Sequence, residues 1–360
     1  MASSSRTLFA LAATGALAAA LYFYYDSLTS YNTAPSAPAA SDGNFDQAKS
    51  FETFASYIGM PPKAGPRRFA VGLNSCVDLI VPALEVFKAL GAEGVVEGKD
   101  HDAIGSLEDL QETFRHFFEK GGAGERFVSN GELFKSIVSA SRGVKAARNF
   151  VGGNAALMGL TIKNKVKSLP QGEEVSVLMG GGYGPELKNM LSSHMILPEQ
   201  AELEVDDYHV ILEYPSGAKW GGVTAPRANR FIISHDITNA QMKTLELFQP
   251  ALESFRPEAV VLSGLHMLEG ENPAFRSKRL NDFVEMLKKI PKHIPIHLEL
   301  ASMALEPYVK EIAEKVFQYV DSMGLNEQEL ELVANSVNGS LGYYGNEYFG
   351  GGRMGLVGGM

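Results

Sequence analysis

Between Asn229 and Glu329 three apolar runs each end on polar residues: RFIISHD (230–236), AVVLSGLH (259–266) and IPIHLELAS (294–302). A fourth polar cluster, Asn326-Glu327-Gln328-Glu329, closes the series. The segments between, such as MKTLELFQPALESF and RLNDFVEMLKKI, carry apolar residues at helical spacing. Short buried strands alternating with amphipathic helices predict a parallel α/β sheet. Ligands of such sheets bind beyond the carboxyl ends of the strands, where these polar residues fall. The block therefore predicts the active edge of an α/β enzyme.

The rest of the chain limits what that edge can serve. Its 360 residues suffice for one large or two modest domains with full cores. A net charge of −10 argues against a nucleic-acid binder, which would present a basic face. An anionic small ligand stays open, because local donors rather than total charge hold phosphates. The single cysteine, Cys76, excludes an intrachain disulfide and a multi-thiolate zinc site, and is expected to pack as a small apolar residue. Residues 8–25, LFALAATGALAAALYFYY, are uncharged and follow Arg6. They fit a signal peptide or a short N-terminal anchor, with possible membrane association. Residues 26–65 read as a linker.

The folded region is expected from about residue 66. RRFAVGLNSCVDLIVPALEVFKAL predicts a strand, a polar turn and a helix, with Asn74 and Asp78 in the turn and at the helix start. Asp78 could equally be an N-cap there. Segment 95–145 reads as mostly helical. In ARNFVGGNAALMGL (147–160) two glycines and an asparagine precede a helix. Glycines there let backbone approach a ligand and expose helix N-terminal amides, and tight helix packing explains them equally well. VSVLMGGGYGPELKNML gives another strand, glycine turn and helix, without the Lys-Ser/Thr of a phosphate loop. Residues 207–224 alternate around Pro215-Ser216-Gly217 and predict a β-hairpin, suited to an inserted lid.

Two constellations carry chemistry. His297 and Glu299 alternate at a strand end and so face one side, while Asn326 and Glu329 share the first turn of a helix. Glu299 and Glu329 could bind Mg²⁺ through water; a helix cap plus a surface salt bridge is the competing reading. Arg230 is a candidate phosphate ligand or a salt-bridge partner. His235, Asp236 and His266 at strand ends also admit a metal-dependent hydrolase, but no His-x-His or His-Glu-x-x-His spacing occurs.

Taken in order, VGLNSCVDLI, GKDHD, GERF, FVGGNAALMG, YHVILEY, ANRFIISHDITNAQM, VVLSGLHMLEG, HLELAS and GLNEQEL closely resemble the ADP-dependent glucokinases of the animal type. The resemblance covers residues 66–337. It implies a ribokinase-like large α/β domain with a small β-rich lid, including the hairpin at about 207–224. It also implies phosphoryl transfer from ADP to glucose in glycolysis, giving glucose 6-phosphate and AMP. By position, Asn74, Asp78, Glu125, Gly152, Gly153 and Asn154 would hold the sugar. Arg230 and His266 would lie near the phosphates, and Glu299 and Glu329 with Mg²⁺. The implied partners are glucose and ADP, without nucleic acid, in a monomer located in the endoplasmic reticulum or secretory pathway.

One departure stands out. The family's general base is an aspartate in a Gly-x-Gly-Asp turn beyond the Asn-x-x-Glu block, whereas no aspartate follows Asp321 here. The resemblance stops near Gly339, and 338–360 form a divergent glycine-rich tail. The expectation is that the C-terminal part of the fold is missing, that no catalytic base is present, and that activity is impaired. A catalytically inactive sugar-binding or regulatory protein is the alternative.

Overall fold

The computed structural model describes residues 67–94, 96–167 and 174–337. The segments read as signal or anchor (8–25), linker (26–65) and tail (338–360) lie outside the described residues. Among the described residues no helix is long and apolar enough to cross a membrane.

In chain order the strands are β1 (Arg67–Gly72), β2 (Cys76–Pro82), β3 (Ala103–Ile104), β4 (Gly124–Val128), β5 (Arg148–Gly152), β6 (Val175–Met179) and β7 (Tyr208–Tyr214). They continue as β8 (Lys219–Trp220), β9 (Val223–Thr224), β10 (Asn229–Ser234), β11 (Ala259–Leu262), β12 (Ile296–Glu299) and β13 (Ser322–Gly324). Five form one parallel sheet ordered β13-β12-β11-β1-β6. Numbered along the chain, that spatial order is 2-1-3-4-5, so the topological switch point lies between β1 and β11. Both faces of this sheet are covered. Val71, Val177, Met179 and Val261 belong to one apolar cluster, while Ala70, Leu178, Val260, Leu262, Ile296 and Leu298 belong to another. Two-sided burial explains why β11 reads as an unbroken apolar run, AVVL, with every residue buried.

The second sheet is mixed and ordered β3-β4-β10-β7-β2-β5. One face is the more fully buried, although Cys76, Ile211 and Ser234 on the other are buried too. Val77, Leu79 and Val81 of β2, Val210 and Leu212 of β7, and Phe231 and Ile233 of β10 point into the core. There they meet the rings of Phe114, Phe118 and Trp220. The alternate residues, including Asp78, Glu213, Arg230 and Glu125, lie on the opposite, more open face. This β-rich sheet stands beside the parallel sheet in the place expected of the lid, and is called the lid below.

Four expectations need correction. The run RFIISHD is not part of the parallel sheet: its strand, β10, pairs with β7 and β4 in the lid. The apolar run Phe231-Ile232-Ile233 conceals an alternation in which Ile232 lies on the open face. Asp78 is not a helix cap, because it lies inside β2 and the next helix begins at Ala83, after Pro82. The 207–224 hairpin is also different. Tyr208–Tyr214 is a central lid strand, and the tight antiparallel pair is β8 with β9 around Gly221-Gly222. Finally, segment 95–145 holds β3 and β4 beside its two helices, Leu107–Lys120 and Gly131–Gly143.

Candidate active site

The switch point is stitched by backbone. Leu73 N–H donates to the Ser263 carbonyl (2.8 Å), and Ser263 N–H donates to the Gly72 carbonyl (2.6 Å). Asn74, the next residue, is buried there, and its Oδ1 accepts from the Ala155 N–H at 3.2 Å. That bond satisfies one of the unpaired amides in the first turn of the helix Asn154–Lys167. Asn154 Nδ2 lies 3.4 Å from Ser263 Oγ. The loop after β1, the loop after β11 and a helix N-terminus thus converge on one point.

The two glycines are required by this convergence. Gly153 has φ +81°, and a Cβ on it would lie 2.6 Å from Ser75 Cα and 2.8 Å from the Asn74 carbonyl oxygen. Gly152 pairs with Cys76 across β5 and β2, and a Cβ there would overlap Asp78 Oδ1. Close backbone approach therefore governs both positions. Of the residues expected to hold sugar, Asn74, Asp78, Gly152, Gly153 and Asn154 are gathered by the fold. Glu125 is not in contact with them. It shares the open face of the lid with Asp78 but stands three strands away, roughly 14 Å across the sheet.

Burial raises the Asp78 pKa, opposed by His209, the Cys76 thiol and the Arg230 charge. Arg230 is exposed on β10 opposite Glu213, on the lid and not at the strand ends that carry His266. His266 follows β11 in the turn Leu265–Gly270. Its Nδ1 is buried without a hydrogen-bond partner, and burial lowers its pKa to about 4, helped by the charge of His209. Near neutral pH His266 therefore offers a neutral ring, able to donate or accept but not to act as a cation.

At the next strand ends His297 and Glu299 do face one side, with Nε2 and Oε2 3.7 Å apart. Glu329 closes a reciprocal cap with Asn326. Its Oε2 accepts the Asn326 N–H (3.0 Å), and Asn326 Oδ1 accepts the Glu329 N–H (2.9 Å). Burial raises the Glu329 pKa, and the Glu299 carboxylate raises it further against the Asn326 amide. The cap is present, and Glu299 is near enough for its charge to act on Glu329. Their mutual repulsion fits a divalent cation that would relieve it.

Sequence reasoning missed three contributors, His209, Asn239 and Ser263, and read Asp236 only as a candidate for a metal-dependent hydrolase. His209 Nε2 lies 3.0 Å from Asp236 Oδ2. Asp236 is held by the Asn239 N–H (2.9 Å) and Nδ2 (2.6 Å), and Asn239 in turn bonds both the N–H and the carbonyl of Ser75. Burial and the field of Asp78 and Asp236 push the Cys76 thiol up to about 12, although His209 opposes the rise. The thiol is therefore neutral at ordinary pH. Burial also disfavours a charged His209, yet contact with Cys76 and Asp236 sets its pKa well above the usual value. With the thiol neutral, Asp236 is the partner that sustains the imidazolium. The only sequence signal was the period-two alternation that places His209 beside Asp78.

Residues 67–348 match the conserved region of the ADP-specific phosphofructokinases and glucokinases. The chain belongs to that family. It is 43% identical over 274 residues to an ADP-dependent glucokinase of Bos taurus, covering 76% of this chain and 54% of that protein. It is 37% identical over 278 residues to a probable ADP-dependent glucokinase of Caenorhabditis elegans, covering 77% and 54%. The chain thus spans about half the length of the curated relatives it matches. The crystal structure of a hypothetical ADP-dependent phosphofructokinase from Pyrococcus horikoshii superposes with a TM-score of 0.56 at 18% identity, over 76% of this chain and 65% of that one. That likeness shows the fold. In the family's terms, the switch point sits where the parallel sheet meets the lid.

Proposed function

We propose that this protein is a phosphotransferase that moves a phosphoryl group from ADP to D-glucose, giving glucose 6-phosphate and AMP, a step of glycolysis. The observation that carries the reading is the packing of Asn74, Gly152, Gly153 and Asn154 against Ser263 at the switch point, with Asp78 beside them. Carboxylate and amide groups match a ligand whose hydroxyls each donate and accept. Glu125 and Arg230 would reach the ligand from the lid, Arg230 and His266 toward the phosphates. Glu299 and Glu329 would hold Mg²⁺, which when bound would neutralise charge on the phosphate oxygens. Asn326 positions the Glu329 carboxylate. Transfer would depend on positioning and charge neutralisation, the usual means in phosphoryl transfer.

We infer that the switch-point site binds glucose and that phosphoryl transfer from ADP depends on Glu299. Calorimetry with glucose, beside AMP release from ADP and glucose, tests both statements. Glucose binding that survives Asn154→Ala together with Asp78→Asn would overturn the site. AMP release no greater than that of a Glu299→Ala control would overturn the dependence of transfer on Glu299. Glucose binding with no turnover supports the second reading, a sugar-binding protein derived from the kinase. We further propose a monomer tethered to or passing through the endoplasmic reticulum by residues 8–25; carbonate extraction and gel filtration check this.

A further inference from the structure

Cys76 and His209, which flank Asp78, have no part in the sugar phosphorylation proposed above. Cys76, Asp78 and His209 place a sulfur, a carboxylate oxygen and an imidazole nitrogen within 4.8 Å of one another. Cys76 Sγ and Asp78 Oδ1 are 3.5 Å apart. That is about the edge of a tetrahedron around an ion with Zn–S and Zn–O bonds of roughly 2.0–2.3 Å. The ligand types are those of zinc and not of magnesium, which prefers oxygen alone.

The surroundings are also those of a metal site. His209 gives Nε2 to Asp236, itself buried and fixed by Asn239, so Nδ1 is the nitrogen left for a metal. A carboxylate behind a histidine ligand fixes the ring and raises its basicity. Gly152 keeps the space clear, since a side chain there would overlap Asp78 and lie 2.7 Å from the Cys76 sulfur. Three protein ligands with Asp78 on the open face leave a fourth position for water.

We propose that Cys76, Asp78 and His209 bind Zn²⁺, and that zinc bound there excludes the sugar. The second half rests on the reading of Asp78 as a sugar ligand. Binding exchanges the ion for two protons, one from the Cys76 thiol and one from His209, so the charge of the buried cluster is unchanged. The half-buried group His101, Asp109 and Glu112 is the competing location for zinc. There His101 Nε2 is engaged at 2.6 Å by Glu112, and Asp109 serves as the capping-box partner of Ser106.

The test uses the purified chain with excess Mg²⁺, titrated with Zn²⁺ by calorimetry and with Co²⁺ as an optical probe of thiolate ligation. The expected result is one zinc per chain and a thiolate-to-cobalt charge-transfer band. Both should weaken about 100-fold in Cys76→Ala and in His209→Gln, remain in His101→Gln, and be displaced by glucose. Two independent removals guard against one variant failing to fold. Binding that survives Cys76→Ala, or disappears in His101→Gln, overturns the site. Zinc that depends on Cys76 but is not displaced by glucose leaves the metal site standing and overturns the exclusion, and with it Asp78 as a sugar ligand.

Discussion

The parallel sheet and the lid sheet use the same residues in different ways. In β11 every residue is apolar and buried, and polar groups begin only at Ser263, beyond the strand. In β2 and β7 alternate residues face the core and the open side, and the open-side set, which also holds Ile80 and Ile211, includes Asp78, His209 and Glu213. A sheet covered on both sides can offer ligands only its strand ends, whereas a sheet covered on one side offers a surface. The candidate site joins the two. Its asparagines and the Glu299–Glu329 pair come from ends, and Asp78, His209, Arg230 and Glu125 come from a face.

The largest effect should come from breaking the buried side of the lid. Phe231→Ala removes a fully buried ring that packs on Phe114 and Phe117, and should cost roughly 3–5 kcal/mol in urea unfolding. Gly153→Ala comes next. It forces a side chain into φ +81° and against Ser75 Cα, which should cost about 2 kcal/mol and abolish measurable glucose binding by calorimetry.

A pH experiment probes the seam between loop and lid. Burial raises the Asp207 pKa to about 7, reinforced by the Asp236 charge and opposed by Thr238. A carboxyl raised above its unfolded value stabilises the fold fully below pH 3.8, and that contribution is lost as pH rises through about 7. Stability should therefore fall across this window, by up to about 4 kcal/mol for this group. Denaturation of Asp207→Asn at several pH values should show a correspondingly flatter profile; an unchanged slope would refute the assignment.

At the strand ends, Glu329→Gln removes the repulsion with Glu299 while keeping an oxygen for the Asn326 cap. Divalent-cation affinity should drop about tenfold with little loss of stability, as read by metal titration beside thermal melting. The smallest effect sharpens the contrast with Phe231. Ile232→Ala, one residue along the same strand but on the open face, should change unfolding free energy by less than about 1 kcal/mol.

Much of this was legible in the sequence. The apolar runs of β11 and β12, the polar ends that follow them, and the Gly-Gly-Asn turn before its helix were each readable from local pattern. Asp78 was misplaced because CVDLIVP continues into ALEVF with Pro82 alone between strand and helix, so the two shared one apolar run. Arg230 and its strand were misassigned because three successive apolar residues look alike whether one face or both are covered. His209 was overlooked because its role comes from Asp236, 27 positions further on, and from Cys76 on a neighbouring strand.

By itself, then, the sequence determined the family, the alternation of buried strands with helices, and which loops carry glycine and asparagine. Those are local properties, set by side-chain period and by backbone that only glycine tolerates. The tertiary structure decided which strands are neighbours. The pairing of β1 with β11 joins Phe69 to Ala259 and creates the switch point where Asn74 meets Ser263. Such pairings depend on how whole faces bury against one another, and no short window of sequence encodes that.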